Sequence, residues 1–411
     1  MEGRALKQYI GIDIAKHEHV AASRYENGEA HGRAFAFAND GAGFKSLLER
    51  LRELGATAGN CLVVMESTGH YWMALWEFLY LRGFDIAVVN PVLTDAFRKA
   101  DTLRKTKTDK VDAFLIAEYA RFKGLGPTRV SAEDAEGLKQ LTRYRHHLVK
   151  ERTALKNRLT SVADRIFPEL AGLFSDKNCA TARAILGEYG TAAKVASTDI
   201  RTLTKTVRSA SRGRHGREKA EEVKAAARRS VGSTFAAGAL AFEAGRIAEL
   251  IGHLDGEVAK LDGEIARLLD PEVGALLQTI PGIGPVCAAA IAAEVGDPDR
   301  FDDPRKLVAY AGMDSTKCQS GRFDGDEQHM SKRGSAPLRN ALMTAADGAR
   351  RSDPYFGDYY DSLRARGKHH YVAVSGCARK LCGVILAVLR ERRPYEPRPS
   401  IQSQQNHAAA D

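Results

Sequence analysis

Cysteine is scarce in this chain. There are six in 411 residues: Cys61, Cys179, Cys287, Cys318, Cys377 and Cys382. None forms a CxxC pair and most have apolar neighbours, which argues against a disulfide framework and a zinc site. A reducing cytoplasm is the expected compartment. No signal peptide opens the sequence, and no apolar run reaches the ~18–20 residues of a membrane span, so no membrane partner is expected. Hydrophobic residues make up 44% of the chain, ample for cores, and the length suggests two or three domains.

The formal charge is +9, which favours an anionic partner. Its distribution is more informative. Residues 201–230 hold ten Lys or Arg against three Glu. A diffuse solvated face would spread the excess; concentration in one segment points to phosphate binding. Arg212, Arg214, Arg217 and Lys219 are the candidates there.

The first 130 residues predict a mixed α/β sheet. Residues 8–14 (QYIGIDI) read as a buried strand, followed by strands near 18–25 and 33–37. GAGFKSLLERLREL has helical spacing, CLVVMES (61–67) is a strand, HYWMALWEFLYLRG a helix, and FDIAVVN a strand stopped by Pro91. A meander followed by strand–helix alternation is the order of the ribonuclease-H-like fold, with helices on both faces. From about 133 the pattern turns helical. Leu141, Leu148, Leu155 and Val162 repeat every seven residues, joined by Leu159 and Ile166; Pro168 ends the run. Ile247, Ile251, Leu254, Val258, Leu261, Ile265 and Leu268 form a second heptad. These two helices are expected to pair with each other or with another chain. Residues 131–271 thus read as a coiled-coil hairpin, with a basic insertion near 171–235. Residues 272–392 read as a mainly α domain, and 393–411 as a disordered tail. LLQTIPGIGPVCAAAIAAEVG (276–296) predicts a helix–hairpin–helix. Its Gly282 and Gly284 would let backbone N–H groups approach phosphate without side-chain obstruction.

Four carboxylates fall at telling places. Asp13 is the charge inside the first strand, costly there unless paired or metal-bound. Glu66 ends the fourth strand. Asp109 and Asp112, one helical turn apart, open the helix after the fifth strand. Each alone has a plain alternative: a strand-end cap for Asp13, a salt bridge for Glu66, a helix N-cap for Asp109. Lys105, Lys107 and Lys110 are near enough to balance the last two acids. Together, in a ribonuclease-H-like sheet, all four would meet at one sheet edge. Four acids at one point need divalent cations, and two hard ions about 3.5–4 Å apart suit in-line phosphoryl transfer.

The motifs IGIDIAKHEH, VVMESTGHYW, VNPVLTDAFRKADTLRKTKTDKVDA, TIPGIGPVCAAAIAAEVGD, FDDPRKLVAYAGM, SGR and MSKRGSAPLRNALM make the chain resemble the insertion-sequence-110 transposases over about residues 8–392. The resemblance implies a RuvC-like domain with an acidic DEDD quartet, matched here by Asp13, Glu66, Asp109 and Asp112. It also implies a C-terminal domain with a catalytic serine. It implies Mg2+, expected as two ions, with Mn2+ as a substitute. Its implied partners are donor and target double-stranded DNA, a structured bridge RNA that pairs with both, and further copies of the chain, as a dimer to tetramer. The quartet of one subunit would work with the serine of another. The family's serine lies in a Ser-Gly step between AYAG and SKRG, here Ser320-Gly321. Chemistry agrees without forcing the choice, because a hydroxyl before Gly can project from a tight turn. Ser331 is expected to cap a helix beside the phosphate-binding cations Lys332 and Arg333; Lys105, Lys107, Arg322 and Arg339 join the nucleic-acid-binding candidates. Met313-Asp314 departs from the residues common after AYAG, which bears on the loop and not on the nucleophile. Two rival readings are a hydrolytic junction resolvase on the same sheet, using water and no serine, and a catalytically idle nucleic-acid-binding protein.

Overall fold

The computed structural model describes residues 7–101, 108–128, 133–315, 319–320, 323–324 and 329–398; of 101, 133–134, 319–320 and 323–324 it describes the backbone alone. The chain divides into two compact units, residues 1–130 and 131–411.

The first unit runs β1 (Gln8–Asp13), β2 (Glu18–Tyr25), β3 (Ala30–Ala38), α1 (Gly41–Glu53), β4 (Cys61–Glu66), α2 (Met73–Tyr80), β5 (Asp85–Val89), α3 (Pro91–Asp101) and α4 (Asp109–Lys123). The sheet order is β3-β2-β1-β4-β5. β1 is antiparallel to β2 and parallel to β4, and β4 is parallel to β5. This mixed sheet is consistent with a ribonuclease-H-like arrangement. Two-residue periodicity divides the strands between two cores. Ile10, Ile12, Val63 and Met65 pack with Phe44 and Leu47 of α1 and Leu75 and Leu79 of α2. Tyr9, Leu62, Val64, Ala87 and Val89 pack with Ile116, Ala117 and Ala120 of α4.

Two helices, not one, follow β5. Pro91 does more than stop the strand: it is the first residue of α3, where a missing N–H costs nothing. Asn90 Oδ1 accepts from the Val92 N–H at 2.9 Å and tightens that start.

Gly11 decides how closely α4 approaches the sheet. A Cβ there would lie 2.1 Å from the Ala113 carbonyl oxygen and 2.5 Å from the Ala117 nitrogen, so α4 rests on bare backbone. Gly11→Ala is expected to push α4 off β1 and to cost about 1–3 kcal/mol or more. A fall in melting temperature of the full chain checks this; an unchanged value would show that the helix can shift freely.

In the second unit, α5 (Glu133–Ile166) leads through a 3-10 turn (Pro168–Leu173) to α6 (Ala180–Glu188), α7 (Ala192–Ser197), α8 (Ile200–Ala210) and α9 (Arg217–Arg228). The chain returns along α10 (Ala237–Leu268). The two heptad helices pair with each other, antiparallel. Arg145 and Arg152, one heptad apart, reach Asp262 at 2.5 Å and Asp255 at 2.7 Å, one heptad apart in reverse. Such partly exposed pairs add little stability but fix register. Leu159, Val162, Ile166, Ile247 and Ile251 are buried there. The insertion is itself folded: Leu203, Val207, Ala220, Val223 and Ala226 share one core with the upper hairpin.

The chain ends in α11 (Pro271–Gln278), α12 (Pro285–Val295), α13 (Pro304–Tyr310), the strand pair β6 (Gln319–Ser320) and β7 (Phe323–Asp324), α14 (Ala336–Ser352), α15 (Pro354–Ala365) and α16 (His370–Glu391). By length and composition α16 is apolar enough to cross a membrane, unlike the sequence reading, but 72% of its apolar window is buried within the protein. It is the central helix of a core that includes Ile280, Ile283, Leu338, Leu342 and Phe356. Tyr395, inside the expected tail, donates its N–H to Thr279 Oγ1 at 2.8 Å and its hydroxyl to Asp353 at 2.9 Å. Residues up to 398 therefore remain tied to this core.

Candidate functional site

The sheet register brings Asp13 and Glu66 to one edge. Ile12 is paired with Met65 across parallel strands, so the next residues, Asp13 and Glu66, end neighbouring strands side by side. Both are half-buried. α4 crosses β1 and carries the other two acids in its first turn. Thr108, not Asp109, caps that helix, accepting from the Val111 N–H at 3.4 Å. Asp109 is left exposed, whereas Asp112 is 4% exposed. Among the described residues, no three His, Cys, Asp or Glu side chains stand close enough together to hold an ion. The acids share one edge but are not closed around a point.

α3 explains part of this. Thr94 Oγ1 donates to Glu66 Oε1. One turn later, Arg98 Nη2 lies 3.2 Å from Asp112 Oδ1. One helix face, at positions i and i+4, thus holds a carboxylate from β4 and another from α4. Sequence reading missed both residues. The TDAFR spacing upstream of the KTDKVDA acids was the available signal, but a cation on a helix does not announce its partner. The Arg98 pair is incomplete: Asp112 Oδ1 and Arg98 Nε are buried without a hydrogen-bond partner. Carboxylate oxygens, one of them buried and unsatisfied, are the donor chemistry of a hard divalent cation, although among the described residues they do not converge on one point as placed.

The Ser320 backbone pairs with Phe323 in the β6–β7 ladder; its side chain, Arg322, Lys105, Lys107 and Cys318 lie outside the described residues. The base of that loop is well tied. Ser315 bridges Met330, the Lys332 N–H reaches the Gly312 carbonyl at 3.0 Å, and Arg339 Nη1 reaches the Ala311 carbonyl at 2.8 Å. Arg339 is therefore engaged by its own chain. Ser331 does not cap a helix: its hydroxyl donates to Asp314. Ser335 is the cap of α14, accepting from Leu338 at 3.2 Å. Lys332 and Arg333 are exposed. The buried Glu294 of α12 takes a two-pronged bond from Arg143 at 2.6 and 3.0 Å and one from Tyr310 at 3.3 Å. Burial alone would raise its pKa, but the Arg143 fork holds it below the ordinary value.

The helix–turn–helix at PGIG is present as α11 and α12. Gly282, at φ +86°, is needed for packing: a Cβ would meet the Ala345 carbonyl at 2.3 Å. Gly284 faces open space at the α12 N-terminus, with no side-chain cap, which leaves backbone N–H groups for an anion. In the basic insertion, Arg217 is paired with Glu221 at 2.7 Å and Lys219 with Glu222. Arg212 and Arg214 are exposed in the turn between α8 and α9. Burial pushes the thiols of Cys61 and Cys382 up to about 12 and Cys377 to about 11, with Asp85 adding to the shift at Cys61. These three are packing residues, not nucleophiles.

Comparison with known proteins finds a family match toward each end of the chain. A DEDD transposase profile of the IS110 type, described as "Transposase", matches residues 10–168. A second, "Transposase IS116/IS110/IS902 family", matches residues 274–361. An uncharacterized protein of insertion element IS116 from Streptomyces clavuligerus is 26% identical, covering 98% of this chain and 99% of its own. A pilin gene-inverting protein of Moraxella bovis is 24% identical, covering 95% and 98%. An uncharacterized protein of insertion element IS900 from Mycobacterium paratuberculosis is 29% identical, covering 71% and 73%. Matching profiles at both ends and relatives aligned over nearly the whole length agree: the chain belongs to the IS110/IS116/IS902 family of transposases.

Proposed function

We propose that this transposase cuts and rejoins DNA through a covalent phosphoserine, with Ser320 as nucleophile and Asp13, Glu66, Asp109 and Asp112 as the metal-holding acids. The observation that carries the reading is the shared sheet edge of Asp13 and Glu66, with Asp112 buried and its Oδ1 unsatisfied. When bound there, divalent metal supplies positive charge to a scissile phosphate. The Ser320 hydroxyl attacks phosphorus. A Ser–O–P bond forms as the bond to the leaving strand breaks, and the serine proton ends on the freed strand hydroxyl. The phosphodiester energy is kept, so a second strand hydroxyl can displace the serine without ATP. That economy suits recombination, and a relative named for inverting a gene supports it.

Lys332 and Arg333 beside the loop, and Gly284 at the α12 N-terminus, are the proposed DNA phosphate contacts. We assign the exposed turn at Arg212 and Arg214 to a structured guide RNA that pairs with donor and target DNA, and the working form to a dimer or tetramer in the cytoplasm. Arg212→Ala with Arg214→Ala is expected to flatten the log–log salt dependence of RNA binding by roughly 0.7–0.9 per lost contact. Arg217→Ala and Lys219→Ala are expected to matter less, because Glu221 and Glu222 already neutralise them. An unchanged slope in the double variant would remove this turn from the interface.

The test is a denaturing gel of end-labelled DNA incubated with full-length protein, guide RNA and Mg2+. Protein-linked DNA supports the recombinase. Free 5′-phosphate ends would identify a hydrolytic nuclease, and uncut DNA a binding protein.

A further inference from the structure

We infer that Arg98 and a divalent cation compete for the Asp112 carboxylate, so that Arg98 is a positioning residue whose release opens the metal site. The inference rests on the proposed metal role of the acids and adds the device that controls it.

Arg98 lies 3.2 Å from Asp112 Oδ1, yet that oxygen and Arg98 Nε both lack hydrogen-bond partners in a buried setting. An ion pair with unsatisfied polar atoms recovers little of its desolvation cost. A small cation is less demanding in donor direction than a planar guanidinium, so it can take the same oxygen on better terms. A guanidinium and a cation cannot share that oxygen closely without repulsion. Arg98 has somewhere to go. Asp95, one turn back on α3, lies 3.7 Å from Arg98 Nη1 and is half-exposed, where water offsets part of the charge. Lys99 contacts the other Asp95 oxygen at 2.7 Å, so Arg98, on leaving Asp112, keeps and tightens a carboxylate contact it already has. Thr94 stays on Glu66 throughout, holding that acid while its neighbour changes partner. α3 thus carries a fixed contact and an exchangeable one on the same face.

The experiment is a Mn2+ titration of the full-length chain, followed by electron paramagnetic resonance of free Mn2+, alongside thermal melts with and without the ion. Arg98→Met removes the charge and keeps much of the packing; Arg98→Gln serves if that variant does not fold. Either is expected to bind Mn2+ roughly tenfold more tightly than wild type. It should also melt lower without Mn2+ and regain that loss with it. Asp95→Asn should weaken Mn2+ binding in the wild-type background and leave the Arg98→Met affinity unchanged. Equal or weaker binding by both Arg98 variants, with wild type binding normally, would overturn the competition and leave the metal reading intact. Absence of Mn2+ binding in wild type and variants alike would overturn both.

Discussion

A Ser320→Ala chain is expected to fold, bind nucleic acid as wild type does, and form no covalent protein–DNA adduct. The physical argument is narrow. A methyl group cannot attack phosphorus, and the backbone pairing of Ser320 with Phe323 does not need the hydroxyl, so a change this small is expected to cost within about 0.5 kcal/mol. Recombination should vanish with the adduct. Nearby serines serve as controls, and their contacts separate them. Ser315→Ala should leave stability and adduct in place. Ser335→Ala removes the α14 cap and should cost about 1 kcal/mol, yet the adduct should persist. Ser331→Ala breaks the bond to Asp314 and should loosen the loop base without abolishing chemistry. The gel decides: an adduct that survives Ser320→Ala but disappears with one of these would move the nucleophile to that hydroxyl.

The second large effect concerns the acids. Asp13→Asn, Glu66→Gln, Asp109→Asn and Asp112→Asn should each lower strand cleavage about a thousandfold or more, because losing roughly 4 kcal/mol of transition-state charge stabilisation has that consequence. DNA and RNA binding should survive, since the proposed contacts are cations elsewhere. Stability separates the four. Asp112→Asn removes the nearer of two carboxylate partners of a largely buried Arg98 guanidinium and should lower the melting temperature. Asp109→Asn, at an exposed position, should leave it unchanged. Wild-type cleavage by any two of the four variants would end the shared-metal reading.

Much of this was legible in the linear sequence. The short apolar runs QYIGIDI and CLVVMES read as buried strands. The heptads at Leu141–Val162 and Ile247–Leu268 required a long helical seam. What sequence could not settle was the partner of that seam. The Arg145–Asp262 and Arg152–Asp255 pairs assign it to the same chain, by a register visible only once both helices are placed. The helix at Pro91 was read as a stop because proline ends a strand and begins a helix with equal ease.

The sequence by itself determined the mixed sheet, the helical second half and the family. Those follow from periodicity, residue type and motif order, all local along the chain. The tertiary structure alone decided which groups meet. Gly11 brings α4 onto β1 because there is no Cβ in the way. α3 then presents Thr94 to Glu66 and Arg98 to Asp112, and Arg339, Arg217 and Lys219 are drawn to acceptors within the chain. The reason is physical: a charged side chain takes its role from the nearest counter-charge and from its access to water, and both are set by packing between segments distant in sequence.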